Sequence, residues 1–385
     1  MYLYICYHNP FGDKGGGSMA SHAYFRAFCD YTKGELDLIC SSALSKADTK
    51  NVKCHDILFV NDRNYFQKCL SVFNGYMNRY VNFTKQWLLE HKEIYDTVVF
   101  DANNIAGPLV DFANKLGMRT ITIHHNYEKE YFSDNNHGLY KLIFLHHVIK
   151  WEAKAYKNSS LNLFLTKQDM HTFSQVYGHS IGMSSVIGAF EFVDYVRPYI
   201  YPKKDNKLTF VITGSLGNYQ TTDAIAFFFN ELYQYMPTDC IILVAGRNPS
   251  PQVVELCKNH DNVKLIANPN DMNRVVSQAD IYICATRIGG GLKLRVMDGL
   301  KNGLPVITHS CSARGFDIFE GFPFFKIYNT PAEYSQKLTD LLSIYKSGSI
   351  DKKDIQDVYE SYFSYMAGLS RLRLILDSMN NRFDK

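Results

Sequence analysis

Short apolar runs recur along the whole chain, each followed by a longer amphipathic segment, and this alternation limits the possible folds more than any other feature. In the first half the runs fall at residues 2–7, 36–40, 57–60, 97–100, 119–123 and 161–165. In the second half they fall at 208–213, 241–245, 263–266, 281–284, 305–308 and 324–327. Strands that are apolar throughout, separated by helical segments, belong to parallel sheets covered on both faces. A chain of 385 residues is too long for one ordinary core. Two such series therefore predict an α/β protein of two Rossmann-like domains, each with a parallel sheet.

The stretch VRPYIYPKKDNK, residues 196–207, carries two prolines and a polar, basic end, and reads as the linker. The expected division is a first domain over 1–195, the linker, a second domain over 208–354, and a helical tail over 355–385. Residues 64–93, rich in aromatics and punctuated by Lys68, Arg79, Lys85 and Lys92, predict a long helix. Such a helix packs on its own domain or lies on a membrane surface.

Composition excludes several function classes. Apolar residues make up 46% and charged ones 21%, the balance of a soluble globular protein. A net charge of +3 is too mild for a nucleic-acid binder. Nine scattered cysteines form no C-x-x-C pair, which argues against a zinc or redox motif and for buried thiols in a reducing cytoplasm. The opening MYLYICYHN reads as a strand rather than a signal peptide, and no stretch approaches the ~20 apolar residues of a spanning helix.

The densest chemistry lies in residues 287–309, RIGGGLKLRVMDGLKNGLPVITH. Gly289, Gly290 and Gly291 are expected to open a helix that stops at Gly303, with a strand following at once. Glycines there let backbone N–H groups turn towards a ligand, and a helix start attracts anions. Yet its surroundings carry Arg287, Lys293 and Arg295, with no carboxylate in the segment before Asp298. Cations crowding a positive helix end cost roughly 0.3–1 kcal/mol each unless an anion sits among them. A phosphate or diphosphate is the natural anion, with Lys293 at an exposed helix start.

This segment resembles the donor-binding stretch of retaining, nucleotide-sugar-dependent glycosyltransferases of the GT-B fold, specifically family four. Members show a glycine-rich turn, a basic residue, an acidic residue, then a small residue, Gly, Pro and a valine-rich strand. Here these are Gly289 to Gly291, Lys293, Asp298, Gly303, Pro305 and Val306. The resemblance implies two domains facing a central cleft. It also implies that the turn and Lys293 hold the donor diphosphate while Asp298 binds the nucleotide ribose. The family's usual motif has two glutamates separated by seven residues; here the second is Asp298 and the first position is Gly290.

Other candidates follow from the same comparison. In IHHNYEKEYF, after the fifth predicted strand, the resemblance makes His125 the sugar-contacting catalytic histidine, with His124 its near alternative and Asn126 beside it. A histidine pair is also a metal candidate. No carboxylate cluster supports one, and the absence of any Asp-x-Asp argues against the metal-dependent GT-A fold. After the first strand, Lys14, Gly15, Gly16 and Gly17 lead into a helix, and the resemblance makes them a loop facing donor or acceptor. Gly214 and Ser215 form a turn under the donor phosphates in the same scheme. Arg247 ends a strand in LVAGRN and takes the place of the family's basic pair. Asn268 in LIANPND falls where the family receives the base, and an Asn-Pro turn explains it equally well.

The implied activity is sugar transfer from a nucleoside-diphosphate sugar to an acceptor hydroxyl, with retention, without a metal or other cofactor. The acceptor is a glycan, a lipid-linked molecule or a small molecule, and the setting is the cytoplasm or the inner membrane face. Two rivals stand beside it. The string from Gly15 through Gly17 to Ala20, with Asp37 further on, satisfies a dinucleotide fingerprint and suits an NAD-dependent oxidoreductase. That fingerprint belongs in a tight turn directly after its strand, whereas residues 9–14 intervene here. The loss of Glu at Gly290 suits a degenerate protein that binds a nucleotide sugar without turning it over.

Overall fold

The computed structural model describes residues 1–7, 10–11, 16–41, 53–73, 75, 78–136, 138–199, 201 and 207–383. The chain forms two compact units, Met1–Asp194 together with Phe363–Lys385, and Tyr195–Tyr362.

The first unit holds seven strands: β1 (Tyr2–Cys6), β2 (Leu36–Ser41), β3 (Asp56–Val60), β4 (Thr97–Asp101), β5 (Arg119–His124), β6 (Leu161–Phe164) and β7 (Met183–Val186). They lie in the order β3-β2-β1-β4-β5-β6-β7, every pairing parallel. The second unit holds six: β8 (Leu208–Ser215), β9 (Cys240–Arg247), β10 (Val263–Ala267), β11 (Ile281–Cys284), β12 (Val306–His309) and β13 (Phe325–Tyr328). Their order is β10-β9-β8-β11-β12-β13, again all parallel. The two parallel α/β sheets expected from the alternation are present. Central strands such as TVVFD of β4 are buried along their whole length, which is why they read as continuous apolar runs.

Both sheets share one topological property. The chain begins at a central strand, builds outwards to one edge, then returns and builds towards the other. The order reverses between β1 and β4 in one sheet and between β8 and β11 in the other. At such a switch point adjacent connections leave in opposite directions and open a crevice beyond the carboxyl ends of the strands.

The last helix, Tyr365–Phe383, belongs to the first unit. Its buried residues Tyr365, Leu369, Leu372, Leu376 and Met379 recur at four- and three-residue steps, one apolar stripe laid against the helix Gly16–Tyr31 and its sheet. Fully burying one such leucine contributes about 1.5–3 kcal/mol. Gly368 on this helix lets it close on Phe190, whose ring a Cβ would overlap, so Gly368→Ala would push the helix off.

Three expectations about elements change. The edge strand β7, MSSV, was not visible in the sequence because it is short, half-polar and only partly buried. The long helix expected over 64–93 is two helices, Tyr65–Phe73 and Tyr80–Glu90, with Gly75 between them at φ +78°, a conformation no helix interior accepts. The tail is likewise two helices, Lys352–Phe363 and Tyr365–Phe383.

Candidate functional site

At the switch point of the first unit, Cys6 ends β1 and Asp101 ends β4. His125 follows β5 by one residue. Asp101 is fully buried, and its Oδ1 lies 2.6 Å from His125 Nε2 while Cys6 Sγ donates to its Oδ2 at 3.1 Å. Burial alone would drive the imidazole to its neutral form. The Asp101 carboxylate overcomes that and raises the His125 pKa above its ordinary value. Burial likewise works against the Asp101 charge, and His125 prevails, holding the carboxyl below the usual range. The result is a histidine fixed in orientation by a buried acid. The sequence reading missed Asp101 by ending the strand at Phe100, one residue early.

His124, its neighbour, is built for something else. It is fully buried and stacked on Phe164 at 4.6 Å, edge-on to Phe173, with Nε2 2.8 Å from Asn162 Oδ1. Asn162 in turn donates through Nδ2 to the Tyr156 carbonyl and to Ser180 Oγ. With no anion near, burial pushes the His124 pKa down to about 3 and keeps the ring neutral. Successive strand residues point to opposite faces, so His124, the last residue of β5, goes into the core and leaves the next position to the carboxyl edge.

The segment after His125 is also fixed. Glu152 is buried, and its carboxylate accepts from the backbone N–H of Glu128 at 2.6 Å and of Lys129 at 3.3 Å, from Tyr177 Oη at 2.6 Å and from Asn103 Nδ2 at 3.1 Å. It thereby satisfies the first N–H groups of the helix Glu128–Asn135. Burial outweighs these donors and raises its pKa to about 8. Asn126 Nδ2 reaches Glu128 Oε1 at 3.5 Å. Gly16 and Gly17 are the first residues of the helix Gly16–Tyr31, and Tyr24 on that helix sets its ring 5.9 Å from that of His125. Lys14 and Gly15 lie outside the described residues.

The second unit places a different chemistry at its own switch point. The helix expected to open at the glycines begins instead at Arg295 and runs Arg295–Lys301, with Gly303 at φ +70° ending it. Gly289 at φ +85° and Gly291 at φ +73° hold the left-handed conformation and keep the helix from starting earlier. The intervening turn is organised by Lys293. Far from an exposed helix start, Lys293 is 6% exposed, and its Nζ donates to the Gly289 carbonyl at 2.9 Å and the Gly290 carbonyl at 2.8 Å. Burial, followed by weaker effects that include Arg295 and Arg314, lowers its pKa from the usual lysine value. Trans peptides hold C=O and N–H on opposite sides. Drawing those two carbonyls in turns the N–H groups of Gly290 and Gly291 out, and neither has an acceptor among the described residues. A Cβ added to Gly290 would meet nothing within 4 Å, although the glycine itself is buried, so the turn faces open space.

Arg295 crosses from its helix towards β8. Its Nη1 donates to Thr286 Oγ1 at 3.3 Å and would stand 3.1 Å from a Cβ on Gly214. Gly214 and Ser215 pair with Gly246 and Arg247 at the carboxyl ends of β8 and β9, where Arg247 is exposed. Asp298 sits half-buried in the first turn of the Arg295 helix. Among the described residues, Lys293, Arg295 and Arg247 have no carboxylate within ion-pair distance.

Arg287 does not join them. Its Nε and Nη2 each lie 3.2 Å from an oxygen of Asp223, and its guanidinium sits 4.4 Å from the centre of the Phe227 ring. The missing acid of this segment is supplied by a helix far away in sequence. Asn268 is equally committed to structure. At φ +52° it accepts through Oδ1 from the Asn248 N–H at 2.9 Å, bracing two left-handed asparagines, the turn role of the Asn-Pro pair. No group of three or more His, Cys, Asp or Glu side chains is placed to hold a metal ion among the described residues.

Residues 207–343 match the family model described as Glycosyl transferases group 1. No curated protein matches the sequence. Among solved structures, the lipopolysaccharide outer core galactosyltransferase WaaB in its apo form is similar at TM-score 0.68 and 12% identity, over 98% of this chain and 99% of that one. A sucrose-phosphate synthase from Thermosynechococcus elongatus is similar at 0.70 and 10%, over 99% of each chain. HepE of Anabaena in complex with UDP and glucose is similar at 0.65 and 11%, over 98% of this chain and all of that one. At such identities the likeness is one of fold, and that fold is GT-B.

Proposed function

We propose that this protein is a metal-independent, retaining glycosyltransferase that moves a sugar from a nucleoside-diphosphate sugar to an acceptor hydroxyl. The family match over 207–343 supports the transferase class. The observation that carries the reading is the turn at Gly289 to Lys293, with two N–H groups pointing away from Lys293 beside cations that have no carboxylate partner among the described residues. A site of this make-up recruits an anion with two or more oxygens, and a donor diphosphate supplies it. HepE was solved with UDP and glucose, which agrees with a donor of this class.

In the reaction proposed, the bond from the anomeric carbon to the diphosphate oxygen breaks and a bond to the acceptor oxygen forms on the same face. The acceptor proton passes to the departing phosphate oxygen. Negative charge grows on the diphosphate, and the Gly290 and Gly291 N–H groups with Arg295 and Arg247 stabilise it without rearranging. Lys293 holds the turn in shape and adds its charge from beneath, Asp298 binds the ribose, and His125, oriented by Asp101, contacts the transferred sugar. No metal or bound cofactor takes part. The cytoplasmic setting is supported by nine cysteines that are all free thiols.

Calorimetric titration with UDP, GDP and ADP sugars, with and without chelator, tests this. Binding of one nucleoside-diphosphate sugar, and turnover that persists in excess chelator, is the expected result. NAD(H) binding without nucleotide-sugar binding would overturn the transferase reading, and activity lost to chelator and restored by manganese would overturn its metal independence. Gly290→Glu restores the family's missing acid in open space, and its sugar preference sharpens the donor assignment.

A further inference from the structure

Two short segments of the first unit carry its acid and its histidine, and both lie beyond the end of the sheet. The register of β4 and β5 runs as far as Phe100 opposite Thr122. Past that point side chains join Asp101–Asn103 to His125–Glu128. One link is the 2.6 Å contact of His125 Nε2 with Asp101 Oδ1. The other is Glu152, whose Oε1 accepts from Asn103 Nδ2 at 3.1 Å and also from the Glu128 N–H at 2.6 Å. Its Oε2 accepts from the Lys129 N–H at 3.3 Å and from Tyr177 Oη at 2.6 Å. Asn103, Glu152 and Tyr177 are all buried. A single oxygen atom thus bridges the two segments.

Capping a helix does not by itself account for this residue. Caps are normally supplied by Ser, Thr, Asp or Asn at the N-cap position. Here that position is Tyr127, whose side chain makes no cap, and the acceptor comes from another helix, Gly138–Asn158. A buried acid whose four partners are all neutral donors is costly to keep. What brings it there is Gly107, one turn past Asn103 on the helix Asn103–Lys115. A Cβ on Gly107 would stand 2.5 Å from the Trp151 carbonyl oxygen and 2.7 Å from its Cα, so the two helices touch through backbone. That close approach delivers the next residue, Glu152, to Asn103. The spacing of the two segments is then held at both ends. It matters because a misplacement of about 1 Å at a reacting centre can cost about 10²-fold in rate.

We infer that Glu152 is a positioning residue for His125, fixing the segment that carries the histidine against the segment that carries Asp101. Its effect on turnover rests on the transfer reading; its effect on the histidine does not. NMR titration of the histidine rings in the full chain reads the second directly, the His125 signal being the one lost in His125→Gln. Asp101 and Glu128 are the carboxyl groups that face this ring, with neutral His124 and the Tyr24 ring beside it. In the natural chain its pKa stands above the ordinary value. In Glu152→Ala it should fall towards or below about 6.5, while kcat drops about 10²-fold and KM for the donor holds. Glu152→Gln keeps an oxygen for Asn103 and Glu128, and the Tyr177 hydroxyl can turn to accept from its amide. It should recover kcat to within about tenfold of the natural chain. Gly107→Ala leaves every polar group in place and should move the His125 pKa the same way, so it decides the matter if Glu152→Ala does not fold. An unmoved His125 pKa in a folded variant of lowered Tm would make Glu152 a brace only and overturn the inference. A rise in KM for the donor that matches the loss of kcat would overturn it too. The expected titration in a chain that transfers no sugar would sink the transfer reading and leave this one standing.

Discussion

The two sheets share a strand order up to an added edge strand, yet their switch points hold opposite chemistry. In the first unit a buried carboxylate and a histidine locked to it stand at the switch point, and both charges are answered inside the protein. In the second, glycines whose N–H groups point away from Lys293 stand beside cations that have no carboxylate partner among the described residues. Topology decides where a ligand is received, and the residues just past the strand ends decide what kind. The first pairs a buried acid with a histidine; the second gathers backbone N–H groups and cations.

Four experiments would break or sharpen that contrast. The largest effect is expected at His125. His125→Ala should lower kcat by about 10²–10³-fold, the range lost with one preorganised polar contact to the transition state, and leave affinity for the bare nucleoside diphosphate unchanged by calorimetry. If nucleotide affinity falls with it, the two sites do not divide the work this way.

Next comes a contrast within the first site, read as stability against pH. The unfolded chain protonates His124 near pH 6.5, while the folded chain, with that pKa pushed down to about 3, does not. Stability is therefore lost as pH falls below 6.5, on the order of 3 kcal/mol by pH 4. His125 is raised instead, so its contribution is fully present below its unfolded pKa and lost as pH rises through the folded one. Urea titrations should show His124→Phe flattening the acid limb and His125→Gln flattening the neutral one. The same limb changing in both variants would mean the two rings are not distinct environments.

Lys293→Ala comes third. It strips the donor from two carbonyls and should weaken diphosphate binding by about 1–3 kcal/mol, with a lower Tm because the turn itself is disturbed. Undiminished affinity in a folded variant would remove the turn from the site. The smallest effect belongs to Arg287→Ala, which breaks a half-exposed ion pair worth about 0–1 kcal/mol. A loss of nucleotide affinity as large as that of Lys293→Ala would show that Arg287 leaves Asp223 when the ligand arrives.

The sequence made the strands legible because parallel strands buried on both faces must be apolar throughout. It singled out the glycine turn at residues 289–291 because three glycines among cations have few structural uses. What it hid depends on pairing across distance. Nothing in residues 287–309 announces that Asp223 neutralises Arg287, and a lysine near glycines reads the same whether it faces solvent or two carbonyls. The glycine run suggests a helix start because glycines let backbone N–H groups turn towards a ligand there, but left-handed φ at Gly289 and Gly291 forbids continuation. Asp101 was within reach: a polar residue closing an apolar strand deserved the same weight as the histidines that close the next one.

The ammonium folded beneath the glycine turn has a kinetic corollary. A run of three glycines is the most mobile backbone a chain can offer, and ordering it on contact with each ligand would slow capture and weaken it. With Lys293 already bound to Gly289 and Gly290, that ordering happens once, when the chain folds, and in the function proposed above each nucleotide meets a turn already formed. Association of the nucleotide should then approach the rate set by diffusion and orientation, with a single kinetic phase and no slow isomerisation behind it.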